Sequence, residues 1–492
     1  MRLPQPAPPL IDPDWPDWSA PTEHDEDEAR ESTPPPHEAI EWHLTYLTEA
    51  YLPSHAERLA DTLTRLGWTI TRWEPAPDLV PSLREGPFGG ASMRLKLLVP
   101  EGTPLGFSLG ERLSCALPQG VSSIALKLWS VTPSLTMLVA ACEWDEYWGD
   151  CLDRILRTDY RIGWLPGPGG TRTWSGAANR KQIEIRNRRR EMHRRIASWL
   201  TEHVPGAFED LGEQHPALDV ITAAGFKPYI DEDDPFAMWS YRRILSFVER
   251  SRLGESANLP GLRLALPERN EPPTLTLAGQ TVDVFDERHL GRFGGETNRW
   301  GLRNFMGERA DALVVSWATI SLLDAMRASL ASLRDRAPEA GEPPTRFAKR
   351  LSNEVPTALR RGADAGALCG DIRRQPRRIG PIYVLHYLTF IVTDPLGRKT
   401  SLGESWAEVV NAEAARVSES ELDQRNRLST SVEVLGLGQN LRTQYWLLVL
   451  TIVLAVFAAA TIALGVIQLA APERTVTVQE PPGASVPSRS GR

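Results

Sequence analysis

The longest run of apolar positions lies near the end of the chain, where residues 445–471 carry no charge. From Trp446 to Ile467 almost every residue is apolar or small. At about 1.5 Å per residue, a helix over these positions spans roughly 33 Å, enough to cross a hydrocarbon core of about 30 Å. Tyr445 and Trp446 stand at one edge, where amphipathic rings favour the headgroup layer. The pattern predicts a single C-terminal transmembrane helix, followed by a disordered tail over 472–492.

Helical spacing also marks the segment before the predicted span. Apolar residues recur at this spacing from Ser405 onwards, which predicts a juxtamembrane helix over 405–442 with a hinge at Gly436 and Gly438. A wide apolar face over 308–336 predicts a second long helix, most of which is buried in the core.

The first part of the chain combines both periodicities. Residues 1–36, rich in proline and acidic residues, predict a disordered arm. Residues 38–66 have helical spacing broken at Pro53, and a helix is also expected over 143–157. Between them, alternating patterns predict strands over 69–73 and 93–99 and a hairpin over 123–141. This order indicates a small α+β domain over 37–165.

A glycine- and proline-rich linker at 166–170 precedes a second α+β region, over 176–400. Short helices are expected over 216–226 and 236–250, and a strand over 262–266. Residues 274–285 predict a hairpin that turns at Gly279 and Gln280, and residues 382–392 favour a buried strand. The fold class expected is therefore α+β, a multi-domain cytoplasmic body with one C-terminal transmembrane helix. The boundary between the two regions stays open.

Composition limits the class of protein. The 492 residues are 41% hydrophobic and 24% charged, which is typical of a globular body. A net charge of -8 argues against general nucleic-acid binding. The four cysteines are scattered and predict reduced thiols. The first residues do not form a secretory signal, so we expect the body on the cytoplasmic face of an inner or plasma membrane. Abundant arginine, alanine and proline suggest a bacterial source.

The most unusual soluble segment is a basic one over 176–204, which predicts an amphipathic helix. Such a helix can contact anionic lipid, it can hold RNA or an acidic partner, or its arginines can pair with acidic side chains of the same chain. These alternatives stay open. The candidate contact residues are Arg186, Arg188, Arg189, Arg190, Arg194 and Arg195.

A second candidate surface lies within the predicted span. Thr451, Ala455, Ala459 and Ala463 recur every four residues and therefore share one helix face. Small side chains let two membrane helices approach closely, so this stripe can form a homodimer through the span. The alternative is that the stripe reflects an alanine-rich composition and that the span is only an anchor.

Catalytic motifs are absent from the sequence. It contains no GxSxG, no HExxH, no Walker motif and no GxGxxG after a predicted strand. The sequence therefore predicts no catalytic residue, no cofactor and no metal site. The function expected is a membrane-anchored scaffold, adaptor or sensor with protein partners. The alternative is a membrane-tethered enzyme whose site assembles from distant residues.

Overall fold

A computed structural model describes fourteen stretches of the chain. They are residues 23–68, 92–102, 112–160, 163–166, 172–225, 253–256, 262–266, 274–284, 299–335, 344–374, 390–393, 399–427, 429 and 447–453. The chain divides into two compact units, residues 1–425 and residues 426–492. The first unit is a mixed α+β body built on one large sheet, which confirms the α+β class.

Eleven strands form this mixed sheet, and they come from both of the predicted α+β regions. Numbered along the chain, the strands are β1 (Ile40–Tyr51), β2 (Ser92–Val99), β3 (Arg112–Ser114), β4 (Val121–Thr132), β5 (Leu135–Trp144), β8 (Ala217–Ala223), β9 (Leu253–Ser256), β10 (Leu262–Ala265), β11 (Thr274–Gln280), β12 (Phe390–Thr393) and β13 (Lys399–Ser401). Their order across the sheet is β13-β12-β9-β10-β11-β8-β1-β5-β4-β2-β3. A separate hairpin pairs β6 (Gly163–Pro166) with β7 (Arg172–Ser175). The division of the body into two domains stays a prediction.

The helix predicted over 38–66 is wrong in its first half, because Ile40–Tyr51 is the central strand β1. This strand pairs with β5 on one side and β8 on the other, and nearly all its residues are buried. A strand that is buried on both faces lacks the alternation of polar and apolar residues that identifies a strand. Its apolar residues can then also match helical spacing. A register shift between Trp42 and Leu44 moves its large side chains from one face to the other. The second half is confirmed as the helix Ala56–Arg65.

Helices cover both faces of the sheet, so the body has three layers. One face buries the long central helix Arg299–Asp335 together with Ala207–Leu211, Pro344–Arg374 and a helix over 402–427. The opposite face buries Ala56–Arg65, Cys151–Arg157 and the basic helix, which runs over Ala177–His203. Two single-turn helices, Glu146–Gly149 and Thr281–Val284, follow strands directly.

Several local predictions can be compared with these elements. The hairpin over 123–141, the strands at 93–99 and 262–266, and the helices over 308–336 and 176–204 are confirmed. The helix expected over 216–226 is wrong, because β8 is buried along its whole length between β1 and β11. The hairpin at 279–280 is also wrong: β11 runs parallel to β8, and the chain then turns into a helix. The helix predicted over 143–157 begins only at Glu146, because β5 extends to Trp144. Residues 69–73 and 236–250, and most of 382–392, lie outside the described residues.

The expected disorder of the N-terminal arm is wrong for residues 23–36. Glu23–Glu31 is a helix that contacts the basic helix, and Ser32 is fully buried. The acidic run is therefore ordered by tertiary contacts that its composition does not reveal. Residues 1–22 lie outside the described residues.

The predicted membrane span lies outside the described residues except for 447–453, which are helical and mostly exposed. Among the described helices, only Arg309–Ser332 is long and apolar enough to cross a membrane. Most of this stretch is buried inside the body, as a core helix of a soluble domain also is. The described residues therefore do not support the C-terminal placement of a span.

Candidate functional site

The basic helix is attached to the sheet by an apolar stripe. Its inward side buries Ile185, Met192, Ile196, Trp199 and Leu200, all in one cluster with strands β1, β4, β5 and β8. These residues recur every three to four positions, as a helix packed on one side requires. The predicted apolar face is confirmed, and it determines which arginines can reach solvent.

Asp219 on β8 is the main polar anchor of the basic helix. Its carboxylate is fully buried and accepts hydrogen bonds from Arg189 Nε at 2.8 Å, from His193 Nε2 at 2.9 Å and from Thr45 Oγ1 at 2.7 Å. The arrangement satisfies both carboxylate oxygens, which a buried charge requires. Arg189 also donates to Thr276 Oγ1 at 2.7 Å, so this side chain joins the helix to two strands.

The charged partners also set the protonation of Asp219. Burial alone raises the pKa of a carboxyl group, but the nearby His193 and Arg189 and the hydrogen bonds outweigh this effect. The pKa of Asp219 is lowered to about 2. The carboxylate is therefore charged at every physiological pH, and it holds Arg189 and His193 against the sheet.

Trp148 holds two more arginines of the basic helix. The guanidinium carbons of Arg195 and Arg188 lie 4.6 Å and 5.3 Å from the centre of its ring. At these distances the ring face attracts a cation. Both arginines also pair with Glu191, and Arg188 pairs with Glu184 at 3.3 Å. Arg188 and Arg195 are thus held by groups of the same chain.

The other three candidate arginines lie on the outer side of the basic helix. Arg186, Arg190 and Arg194 are exposed, and they are spaced four residues apart. They therefore form one line, about 12 Å long at 1.5 Å per residue. Within the described part of the chain, Arg190 and Arg194 have no ion pair. The exposed line is an arginine stripe without an acidic partner at two of its three positions.

The N-terminal arm covers the beginning of the basic helix. Glu28 Oε1 accepts the backbone N–H of Ala178 at 2.9 Å, so a carboxylate lies at the positive end of the helix dipole. Lys181 Nζ donates to Thr33 Oγ1 at 2.9 Å and to both oxygens of Ser32. Burial lowers the pKa of Lys181 to about 8. The arm thus occupies the first turns of the basic helix and leaves the arginine stripe uncovered.

The small residues of the predicted span can be located only in part. Thr451 is exposed in the short helix over 447–453, and its hydroxyl donates to Leu447 O at 2.7 Å. This is a bond within the helix, so it says nothing about a partner helix. Ala455, Ala459 and Ala463 lie outside the described residues.

A second polar cluster, at the end of β1, bears on the enzyme alternative. His55 Nε2 lies 3.1 Å from Asp210, and His55 Nδ1 lies 3.4 Å from Ser54 Oγ. The set resembles a serine–histidine–aspartate triad in composition but not in hydrogen bonding. His55 Nδ1 accepts the N–H of Leu52 at 3.2 Å, and Ser54 Oγ donates to Asp364 at 2.6 Å. The histidine nitrogen beside the serine is therefore occupied, and the geometry does not support a triad.

Comparison with known proteins adds no function to this geometry. The chain matches no protein-family model, no curated protein and no solved structure. In the described part of the chain, no three His, Cys, Asp or Glu side chains are grouped so as to hold a metal ion. The candidate site thus rests on the residues themselves.

Sequence reasoning identified the arginines but missed the groups that hold them. Asp219 lies 30 residues from Arg189 along the chain, and Trp148 lies 40 residues from Arg188. One signal was present in the sequence: Asp219 is the only charged residue of the strand ALDVITA. A single carboxylate inside a buried strand requires a cationic partner, and the basic helix is the nearest source.

Proposed function

We propose that this protein is a membrane-anchored adaptor or scaffold whose cytoplasmic body binds anionic lipid headgroups through the arginine stripe. The observation that carries the proposal is the division of the six candidate arginines: Arg188, Arg189 and Arg195 face groups of the body, whereas Arg186, Arg190 and Arg194 face outwards. Like charges at four-residue spacing destabilise a helix by about 0.2–0.5 kcal/mol per pair. Arg190 and Arg194 have no ion pair in the described part of the chain, so these two arginines do not serve the fold, which supports an external anionic partner.

The expected binding free energy of the stripe is sufficient only for a body that is already anchored to the membrane. A basic side chain near an anionic membrane contributes about 1 kcal/mol, so three arginines give only weak binding from solution. A C-terminal membrane helix over 445–471 would raise the effective concentration of the body at the surface, and weak contacts then suffice to orient it. We place the body on the cytoplasmic face of a bacterial inner or plasma membrane, with residues 473–492 outside.

The lipid contact is tested on the full chain in nanodiscs. A fluorescent amino acid at Ser198, the next exposed position on the line of the stripe, reports energy transfer to a dye in the headgroup layer. We expect transfer to rise when phosphatidylserine replaces a third of the phosphatidylcholine, and to fall with added salt, because salt screens exposed charges. The change Arg190→Gln with Arg194→Gln should abolish the rise.

The matched control removes two charges elsewhere on the body. Arg373→Gln with Arg374→Gln changes two exposed arginines at the end of another helix and should keep the rise. Transfer that is equal in both membranes, or an equal loss in both double variants, contradicts a specific lipid contact and leaves a protein partner for the stripe.

The orientation has its own test in whole cells. An impermeant maleimide should label a cysteine placed at Ser488 and should not label one placed at the exposed Glu31, in a chain whose half-exposed Cys115 is serine. The buried Cys151 does not interfere, because burial raises the pKa of its thiol to about 12. Labelling at Glu31 alone would mean that the orientation is reversed.

Self-association through the span is a further part of this proposal. In a reporter assay of the isolated span in a bacterial membrane, Ala459→Ile should reduce association, because a large side chain separates two close helices. Val453→Ile should leave association unchanged. Equal signals from both changes would mean that the small-residue stripe reflects composition alone.

A further inference from the structure

A cavity of about 410 Å³ lies between the end of β1 and the turn that joins β4 to β5. Its walls are mostly apolar and include the buried side chains of Tyr51, Leu52, Leu59 and Leu135. Cavities of about 300–1,000 Å³ with predominantly apolar walls and a few polar groups are typical of small-molecule sites. The size and the lining of this cavity therefore fit a small ligand.

The cavity opens to solvent beside two prolines. Pro53 and Pro133 both line it and are exposed. Pro53 begins the single-turn helix Pro53–His55, and Pro133 lies in the turn between β4 and β5. The ring of a proline fixes its backbone φ angle, so this side of the cavity has little conformational freedom to lose. A preformed site of this kind lowers the entropic cost of binding.

Thr136 supplies a hydroxyl group that the fold does not use. This residue of β5 pairs with Tyr51 in the register of the sheet, lines the cavity and is only 6% exposed. In the described part of the chain, its hydroxyl has no hydrogen-bond partner. Most buried polar side-chain atoms have a partner. The partner of this hydroxyl therefore belongs in the cavity.

Ser134 is the second polar group of the lining, and its donors are already used. Asp371 Oδ2 accepts from the backbone N of Ser134 at 3.0 Å and from its Oγ at 2.6 Å. The Ser134 oxygen can thus only accept from a ligand, and its longer contact with Thr132 Oγ1, at 3.4 Å, leaves one lone pair for this. The Thr136 hydroxyl can still donate. A ligand that accepts from Thr136 and donates to Ser134 satisfies both, and a hydroxyl group does so.

The charges around the cavity exclude an ionised ligand. Among the residues that the structure describes, none that lines the cavity is charged. An ionised group would lose its hydration there without gaining a counter-charge. Asp371, behind Ser134, already accepts from the serine and lies 3.5 Å from Arg374. We propose that this cavity binds a small uncharged alcohol, with its hydroxyl group at Ser134 and Thr136 and its apolar body against the leucines.

The test uses the full chain in phosphatidylcholine nanodiscs and measures binding by calorimetry, with empty nanodiscs as the blank for partition into lipid. Cyclohexanol is the probe, and cyclohexanecarboxylate and cyclohexylammonium are its charged counterparts. We expect saturable binding of cyclohexanol above the blank, and none of the two ions. Thr136→Val removes the hydroxyl and keeps the shape of the side chain. It should weaken cyclohexanol binding about three- to tenfold, as expected when one hydrogen bond is lost.

The matched control is Thr64→Val, the same change at an exposed position of the helix Ala56–Arg65. It should leave the affinity for cyclohexanol unchanged. Thr136→Val should also unfold at no lower denaturant concentration than the native protein, because its hydroxyl makes no bond within the described fold. This second measurement separates a lost ligand contact from a damaged fold.

Four results would overturn the proposal. They are cyclohexanol binding that does not exceed the blank, binding of either ion as tight as that of cyclohexanol, equal affinities in the Thr136→Val and Thr64→Val variants, or a lower unfolding midpoint for Thr136→Val. The first result would mean that the Thr136 hydroxyl faces only water. None of these results bears on the lipid contact, because that proposal depends on the arginines of another surface.

Discussion

The two sides of the basic helix use the same residue type for opposite purposes. On the inner side, Arg189 reaches a buried carboxylate, and Arg188 and Arg195 lie over an indole ring. On the outer side, Arg190 and Arg194 extend into solvent. Neighbouring arginines such as Arg189 and Arg190 differ only by the 100° turn of one helical residue. A count of the six candidate arginines therefore overstates the surface charge of this helix, because three of them are already held by groups of the same chain.

The largest expected effect lies on the inner side, at Asp219. Changing Asp219→Asn leaves the largely buried Arg189 without its counter-charge, and breaking a buried ion pair from one side costs about 3–5 kcal/mol. We expect a loss of about 3 kcal/mol in the free energy of unfolding, measured by denaturant titration of the full chain.

The control for this change is an ion pair of the same type at the surface. Asp153→Asn removes the partner of Arg157 within one helix, where such a pair contributes about 0.3–0.5 kcal/mol. Equal losses in the two variants would contradict the anchoring role of Asp219.

A somewhat smaller effect follows from the pH dependence of the same carboxylate. The pKa of Asp219 is about 2 in the folded protein, whereas an unfolded aspartate titrates near 3.9. The folded state therefore gains stability from this group above pH of about 4, and it loses that gain as the pH falls towards 2. The full contribution of the Asp219 carboxylate to the free energy of unfolding is about 2–3 kcal/mol, at 1.36 kcal/mol per pKa unit.

The Asp219→Asn variant isolates this contribution of Asp219 to the stability, since asparagine does not titrate. The difference in unfolding free energy between the native protein and the variant should shrink as the pH is lowered from 5 to 3. A difference that stays constant over this range would mean that the charge of Asp219 does not stabilise the fold.

The sequence predicts the secondary structure of a segment well when only one of its faces is buried, and poorly when both faces are buried. The basic helix and the β4–β5 hairpin follow simple periodicities, and their existence is predicted correctly. Strands β1 and β8 lie between helices on both faces, so they lack the polar alternation that identifies a strand. The order of the acidic arm depends on Lys181 and on the N-terminus of the basic helix, which are about 150 residues away along the chain. Composition cannot reveal such contacts.

The candidate site was predictable to the same extent. The sequence identifies the arginines, because their density is local information. It cannot divide them into inner and outer groups, because that division depends on where Asp219 and Trp148 lie after folding. The polar cluster at the end of β1 was not predictable at all, since its residues Ser54, His55, Asp210 and Asp364 come from three separate helices, Pro53–His55, Ala207–Leu211 and Pro344–Arg374.

The smallest expected change in the free energy of unfolding is for the outer side of the basic helix. It tests directly whether only the inner arginines stabilise the fold. Arg190→Gln with Arg194→Gln removes two exposed charges that have no ion pair in the described part of the chain. Glutamine keeps the helix propensity of arginine, and the change relieves a like-charge pair that costs about 0.2–0.5 kcal/mol. We therefore expect the free energy of unfolding to stay within about 0.5 kcal/mol of the native value, with any change towards higher stability. Denaturant titration beside the Asp219→Asn variant measures this directly. A loss above about 1 kcal/mol would show that the outer arginines also hold the fold, and the division between the two sides would fail.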